Sequence, residues 1–194
     1  MRYKEFNRNS VLEKCINLFW KNGYRSCSIN EIVSNTRVNR FSLYDEFQDK
    51  EGILFGALEL YNERYINKIF ERLNQNKPIR NVLVEFYMSF LSNNNSRPSG
   101  CFIIHTATEL ADNNIKIKKV LDNYLSELEE RLESLLQSHP ETKSNAKFYA
   151  KHLTGLFCTS MCFSVIQSHE ERLSLINNGI NVILKKNTNY AANS

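Results

Sequence analysis

Three helix-start signals fall in close succession between Ser28 and Asp49, and their spacing limits what the chain around them can become. Ser28-Ile29-Asn30-Glu31 is a capping box: the serine hydroxyl accepts from the third amide of the helix, and Glu31 reaches back to the cap amide. Asn39 and Asp49 are further side chains suited to capping. These signals leave room only for short helices. The first is apolar at Ile29, Ile32 and Val33 and breaks at Asn35-Thr36-Arg37; the second sets Leu43 and Phe47 four apart on one face. A longer helix precedes them, from about Asn9 to Asn22. It carries Val11, Leu12, Cys15, Ile16, Phe19 and Trp20 on one stripe, and Gly23 stops it. One long helix followed by two short ones across a tight turn is the outline of a helix-turn-helix.

The rest of the chain continues the helical pattern. Only 6 Gly and 3 Pro in 194 residues leave few breakers. A fourth helix runs from Asp49 to about Arg72 on Ile53, Leu54, Ala57, Leu58, Tyr61, Tyr65 and Ile69. Pro78 opens the next, which carries Val82, Leu83, Phe86, Phe90 and Leu91. NNNSRPSG, residues 93–100, is the clearest loop. CFIIHTATELA then makes a short apolar helix, and Ile117, Leu121, Tyr124, Leu128, Leu132 and Leu135 make a long amphipathic one that His139-Pro140 ends. Residues 142–168 are apolar, with Gly155, Ser160 and Ser164 among bulky neighbours. The last helix, about Glu171 to Lys186, has Leu173, Ile176, Ile180 and Ile183 on one stripe. The expected fold is all-α, with about nine helices and no strand.

Charge sits unevenly on this frame. Residues 1–44 hold Arg2, Lys4, Arg8, Lys14, Lys21, Arg25, Arg37 and Arg40 against Glu5, Glu13 and Glu31, while the remainder is close to neutral. A basic N-terminal quarter on a neutral body is a weak sign of contact with nucleic acid. The acids that follow at once oppose it in sign, but they sort by role. Asp49 is a cap, Glu51 lies in a first turn where the helix dipole favours it, and Glu46 stands four before Lys50 and so could pair with it. Only Asp45 is left to face a polyanion.

Other chemistries find little support. The start, MRYKEFNRNS, is polar, and no apolar run approaches the roughly 20 residues that span a membrane. The five cysteines therefore read as reduced packing groups of a cytoplasmic chain. Cys158 and Cys162 are four apart, but no further ligand completes a metal site. His105, His139, His152 and His169 lack motif partners, and no nucleophile–base–orienter set appears. No catalytic residue, metal or cofactor is expected.

Residues 10–58 resemble the TetR family of bacterial transcription regulators. The resemblance rests on LFWKNGYRSCSINEIV and VNRFSLYDEFQDKEGIL. Phe19, Gly23 and Tyr24 match the family's Phe-rich end of the first helix before Gly-aromatic. Ser28, Ile29 and Ile32 match its hydroxyl-capped second helix. Leu43, Tyr44 and Phe47 match Leu-Tyr-x-x-Phe of the recognition helix, and Lys50 and Glu51 the Lys-Glu that starts helix four. Beyond residue 72 the likeness is thinner; SGCFIIHTATELA is similar to the start of helix six in one branch. Two departures stand out. Arg37 occupies a turn position that is usually Gly, and Phe41 one where a small residue is common, so base preference does not carry over.

The resemblance implies that the helix Asn39–Phe47 enters the major groove. Asn39, Arg40 and Phe41 would face base edges, Arg40 forking onto guanine and Asn39 onto adenine or a phosphate. Ser28, Ser42, Tyr44 and Lys50 would reach phosphates, with Arg37 on the same basic face. Without the motif, these arginines would read as solvated groups and Phe41 and Tyr44 as cover for the core. In the C-terminal half the resemblance implies a small-molecule pocket. Its candidate lining is Phe86, Phe90, Phe102, His105, Thr106 and Glu109, with Tyr124, Tyr149 and His152 from later helices. The bland alternative is core packing, with His105 and Glu109 simply paired. A four-helix dimer interface would use Leu156, Ser160, Phe163, Ile176, Ile180 and Ile183, unless those stripes are buried within one subunit.

The expected organisation is therefore a helix-turn-helix DNA-binding domain at 1–50, a connecting helix at 51–72, a ligand-binding and dimerisation domain at 73–187, and a disordered tail at 188–194. Its function would be that of a ligand-responsive repressor, a homodimer released from a palindromic double-stranded operator by a small-molecule effector, with no membrane partner. One alternative is a helical small-molecule-binding protein or enzyme that has lost DNA binding. Another keeps the regulator but makes a thiol, Cys101, the sensor.

Overall fold

The computed structural model describes residues 6–91, 98 and 100–185. The expected loop at 93–100 lies mostly outside the described residues, and the expected tail at 188–194 wholly so. Among the described residues the chain is all-α, with nine helices and no strand. They are α1 (Arg8–Asn22), α2 (Ile29–Thr36), α3 (Arg40–Phe47), α4 (Lys50–Tyr61), α5 (Ile79–Leu91), α6 (Phe102–Leu110), α7 (Ile115–Gln137), α8 (Ala146–Cys162) and α9 (His169–Lys185). The axis of α4 runs on through a π-helical segment, Asn62–Ile66, a last α turn, Asn67–Phe70, and a 3-10 turn, Glu71–Asn74.

Side-chain caps set the helix starts. Asn7 accepts from the Ser10 amide, Ser28 and Glu31 form the reciprocal box, Asn39 accepts from Ser42, and Asp49 from Gly52. A second box, Ser168 with Glu171, starts α9 two residues before the apolar pattern suggested. The apolar stripes then assemble. Leu12, Ile16 and Phe19 of α1 are buried with Ile32, Leu43, Phe47, Ile53, Leu54 and Ala57, so α1 packs along α4 with α2 and α3 across its end. The second half packs α7 on α8 and α5 on α9. Its centre is aromatic: Phe70 stacks on Tyr124 at 5.7 Å, and Phe90 meets Phe157 edge-on at 4.9 Å.

The two halves are joined at α6. Phe102 lies 5.6 Å from Tyr61 and 6.0 Å from Trp20 of α1. At the other end of α6, Glu109 accepts from the backbone amides of Tyr24 at 2.8 Å and Arg25 at 2.6 Å. Just beyond, Asn114 caps α7 and also donates to Glu51 at 2.7 Å. The α6–α7 corner thus holds both the α1–α2 turn and the start of α4.

Candidate functional site

The turn between α2 and α3 is closed by the backbone and by Thr36. The Thr36 hydroxyl donates to Ile32 O at 2.7 Å and accepts from the Val38 amide at 3.3 Å. Arg37 caps α2 in the left-handed region, φ 62° and ψ 24°, and its amide donates to Val33 O. The arginine therefore keeps the conformation that glycine adopts freely, at a steric cost of about 1 kcal/mol. Arg37→Gly is expected to recover most of that, less the added entropy of the unfolded chain. A raised midpoint in urea unfolding is the expected result; a loss of stability would mean the side chain makes a compensating contact.

The α3 helix divides cleanly. Leu43 and Phe47 point into the core, and the first turn points out. Phe41 is 63% exposed, and the Arg40 guanidinium lies over the Tyr44 ring at 5.2 Å. This stacking holds the guanidinium fork beside the ring without using its donors, which suits it to base edges or phosphate. Ser28 and Asn39 are also exposed at this end, and Ser42 is half-buried. Asn39 is placed differently from the expectation: its Oδ1 accepts from the Ser42 amide at 2.9 Å, so it cannot pair bidentately with adenine while the cap holds. Two further contacts correct the sequence reading. Glu46 pairs with Arg8 at 3.1 Å rather than with Lys50, because Gln48 ends α3 with φ 70° and breaks the four-residue repeat. Lys50 instead sets its ammonium over the Tyr24 ring at 4.2 Å, drawn toward the α1–α2 turn. Glu31 completes the capping box, and the Ser28 amide and hydroxyl hold its carboxyl below the usual range.

The expected pocket residues do not gather at one place. Phe86, Phe90 and Tyr124 pack with Phe70 and Phe157 in the aromatic centre, and Phe102 belongs to the joint with α1. Thr106 and Tyr149 are buried. Glu109 is engaged by two backbone amides, so it does not pair with His105, which lines a cleft near Met161 and Ser164. His152 is exposed, its Nδ1 2.8 Å from Phe148 O. The expected dimer set lies mostly inside the protomer. Ile176, Ile180 and Ile183 are buried within the protomer, Ser160 is buried too, and Leu156 packs against Gly179. Of that set only Phe163 is exposed. The outward face of α8 presents Phe148, His152, Gly155 and Thr159, continued by Phe163 in the 3-10 turn that follows, with Val182 exposed on α9. Their spacing of three and four was open to view in the sequence but is masked by its mixed chemistry.

The thiols are placed plainly. Cys101 is buried under the Tyr61 and Tyr124 hydroxyls, at 3.9 and 3.6 Å, and burial pushes its thiol up. Cys15 is pushed up to about 12 by burial beside Cys27. Reactivity follows the thiolate. A thiol reagent added to the native protein is therefore expected to label exposed Cys162 first and to leave Cys15 and Cys101 unmodified until the chain unfolds. Rapid native labelling of Cys101 would restore it as a sensor.

Residues 11–57 match the family model described as bacterial regulatory proteins, tetR family. The chain is 30% identical over 138 residues to the HTH-type transcriptional repressor ComR of Escherichia coli (strain K12), a match covering 70% of this chain and 66% of ComR. It is 24% identical over 131 residues to the uncharacterized HTH-type transcriptional regulator YezE of Bacillus subtilis (strain 168), covering 66% and 68% of the two chains. Among solved structures, the regulator CifR, as a cysteine mutant complexed with 26bp operator DNA, matches with a TM-score of 0.80 at 17% identity, over 93% of this chain and 98% of CifR. The reduced form of E. coli NemR matches with a TM-score of 0.77 at 20% identity, over 91% and 96%.

Proposed function

The chain belongs to the TetR family of bacterial regulatory proteins, and on that premise we propose that it is a cytoplasmic repressor which, as a homodimer, leaves its operator when a small molecule binds. The family and fold are those of transcription regulators, not of enzymes. One observation carries the operator reading: the first turn of α3 offers a stacked Arg40 and an exposed Phe41 to the outside, while Leu43 and Phe47 fix that helix to the core. In this reading Arg40 and Phe41 meet base edges, and Ser28, Arg37, Ser42 and Tyr44 meet phosphates; Lys50 does so only by leaving Tyr24.

The exposed face of α8, with Val182 of α9, supports the dimer. Phe148, Gly155 and Thr159 on it are uncharged, with Lys151 exposed to one side, and a Cβ built on Gly155 meets nothing within 4 Å in the protomer. A partner helix therefore has room to approach closely. The hold of Glu109 and Asn114 on the DNA-binding helices supports ligand response, since movement of α6 would reposition α1 and α4 together. The test is footprinting of the DNA upstream of the chain's own gene. Protection of two half-sites one helical turn apart, about 34–36 Å, is expected. A single protected half-site, or none, would contradict the dimeric repressor.

A further inference from the structure

Beside α1 and α4 lies a cleft of about 220 Å³ that the DNA-binding surface does not use. Trp20, Tyr61, Tyr65 and Phe90 line it, and Arg64 and Lys68 stand on one helix at its polar side. The volume falls below the roughly 300 Å³ at which drug-sized pockets begin, so a ligand of one or two rings suits it. The walls are a connected aromatic set, with Trp20 edge-on to Tyr61 at 5.5 Å and Tyr61 at 5.5 Å from Tyr65.

The polar side is unbalanced in charge. Arg64 pairs with Glu13 of α1 at 2.9 Å, and the Tyr65 hydroxyl lies 2.8 Å from both Glu13 oxygens. Lys68 has no ion pair among the described residues. Arg64 thus holds one carboxylate, which comes from the DNA-binding half, while Lys68 adds a second cation with no carboxylate of its own. The Arg64–Glu13 pair is partly exposed on both sides, and such pairs are weak enough to exchange. Arg64 and Tyr65 both sit in the π-helical segment Asn62–Ile66, a widened turn of the kind that recurs at functional sites.

We propose that this cleft binds a small apolar carboxylate, whose anionic head displaces Glu13 from Arg64 and Tyr65. The ring is buried against Trp20 and Phe90, and Lys68 supplies the second cation. Losing Glu13 frees α1 from α4 at this point and so bears on the DNA-binding helices. The inference rests on the ligand-responsive reading and names the class of effector.

Trp20 is the single tryptophan, so its emission reports on this cleft. The full chain is titrated with 4-tert-butylbenzoate, with the amide 4-tert-butylbenzamide and with the cation 4-tert-butylbenzylamine. The carboxylate is expected to give a saturable change and to bind about tenfold or more tighter than the other two. Lys68→Gln and Arg64→Gln weaken carboxylate binding, and Glu13→Gln tightens it because a competitor is gone; far-UV circular dichroism checks that each variant is folded. Equal response to the amide or the cation, no saturable response, or weaker binding in folded Glu13→Gln would overturn the site. Bound carboxylate is also expected to weaken binding to the promoter fragment about tenfold, and less so in Lys68→Gln. Carboxylate binding with unchanged promoter affinity would overturn the coupling. Failure of the ligand-free chain to select its promoter would instead remove the regulator reading, while the Trp20 titration would still decide the cleft.

Discussion

Gly52→Ala is expected to destabilise the protein by about 3 kcal/mol and to abolish operator binding. Gly52 is the residue whose amide donates to the Asp49 cap at 2.7 Å in the first turn of α4. That corner folds tightly, because Gln48 turns the chain at φ 70° and the Asp49 amide donates to Phe47 O at 2.9 Å. A methyl on Gly52 would overlap the Phe47 carbonyl oxygen. The obstacle is backbone, so no rotamer relieves it. Either α3 swings away from α4 or the Asp49 cap is lost, and both displace the outward turn of α3. Thermal unfolding should show a drop of roughly 10 °C. Ser126→Ala is the matched control: Ser126 is exposed in the interior of α7, and alanine there should change stability by about 0.5 kcal/mol or less. If both variants unfold alike, the packed α3–α4 corner is wrong.

The second large effect separates stability from DNA binding on one helix. Leu43 is wholly buried and Phe41, two residues before it, is 63% exposed. Leu43→Ala is expected to cost about 3 kcal/mol through the cavity it leaves, and to weaken DNA binding only because α3 loosens. Phe41→Ala should change stability by about 0.5 kcal/mol or less, yet alter which operator sequences are preferred. Denaturant titration and a binding-site selection experiment on the two variants check this. An unstable Phe41→Ala with an unchanged sequence preference would make Phe41 a structural residue.

What the sequence made legible was mostly local. The caps at Ser28, Asn39 and Asp49 act over three residues, and the apolar stripes act over one helix, so both survive into the structure unchanged. What escaped it was tertiary. Glu46 finds Arg8, 38 positions away, and Glu109 finds the amides of Tyr24 and Arg25, 85 and 84 positions away. No periodicity announces such partners. The stripe of Ile176, Ile180 and Ile183 was visible, but its direction depends on what α9 packs against, and within the protomer that is α5 and α8. The π-helical segment in the axis of α4 left no mark in the apolar spacing. At the candidate site, Arg40 and Phe41 stand out from α3 as the motif implied, whereas the cap occupies Asn39 and Tyr24 holds Lys50.

The central claim is that the outward turn of α3 reads DNA sequence. The most direct measurement is competition between the chain's own promoter fragment and random DNA of equal length, repeated over a range of salt. The account predicts a preference for the promoter of roughly a thousandfold or more, log affinity falling linearly with log salt, and a preference largely lost in Arg40→Ala. Equal affinity for the two DNAs at every salt, with Arg40→Ala no different from the parent chain, would contradict it.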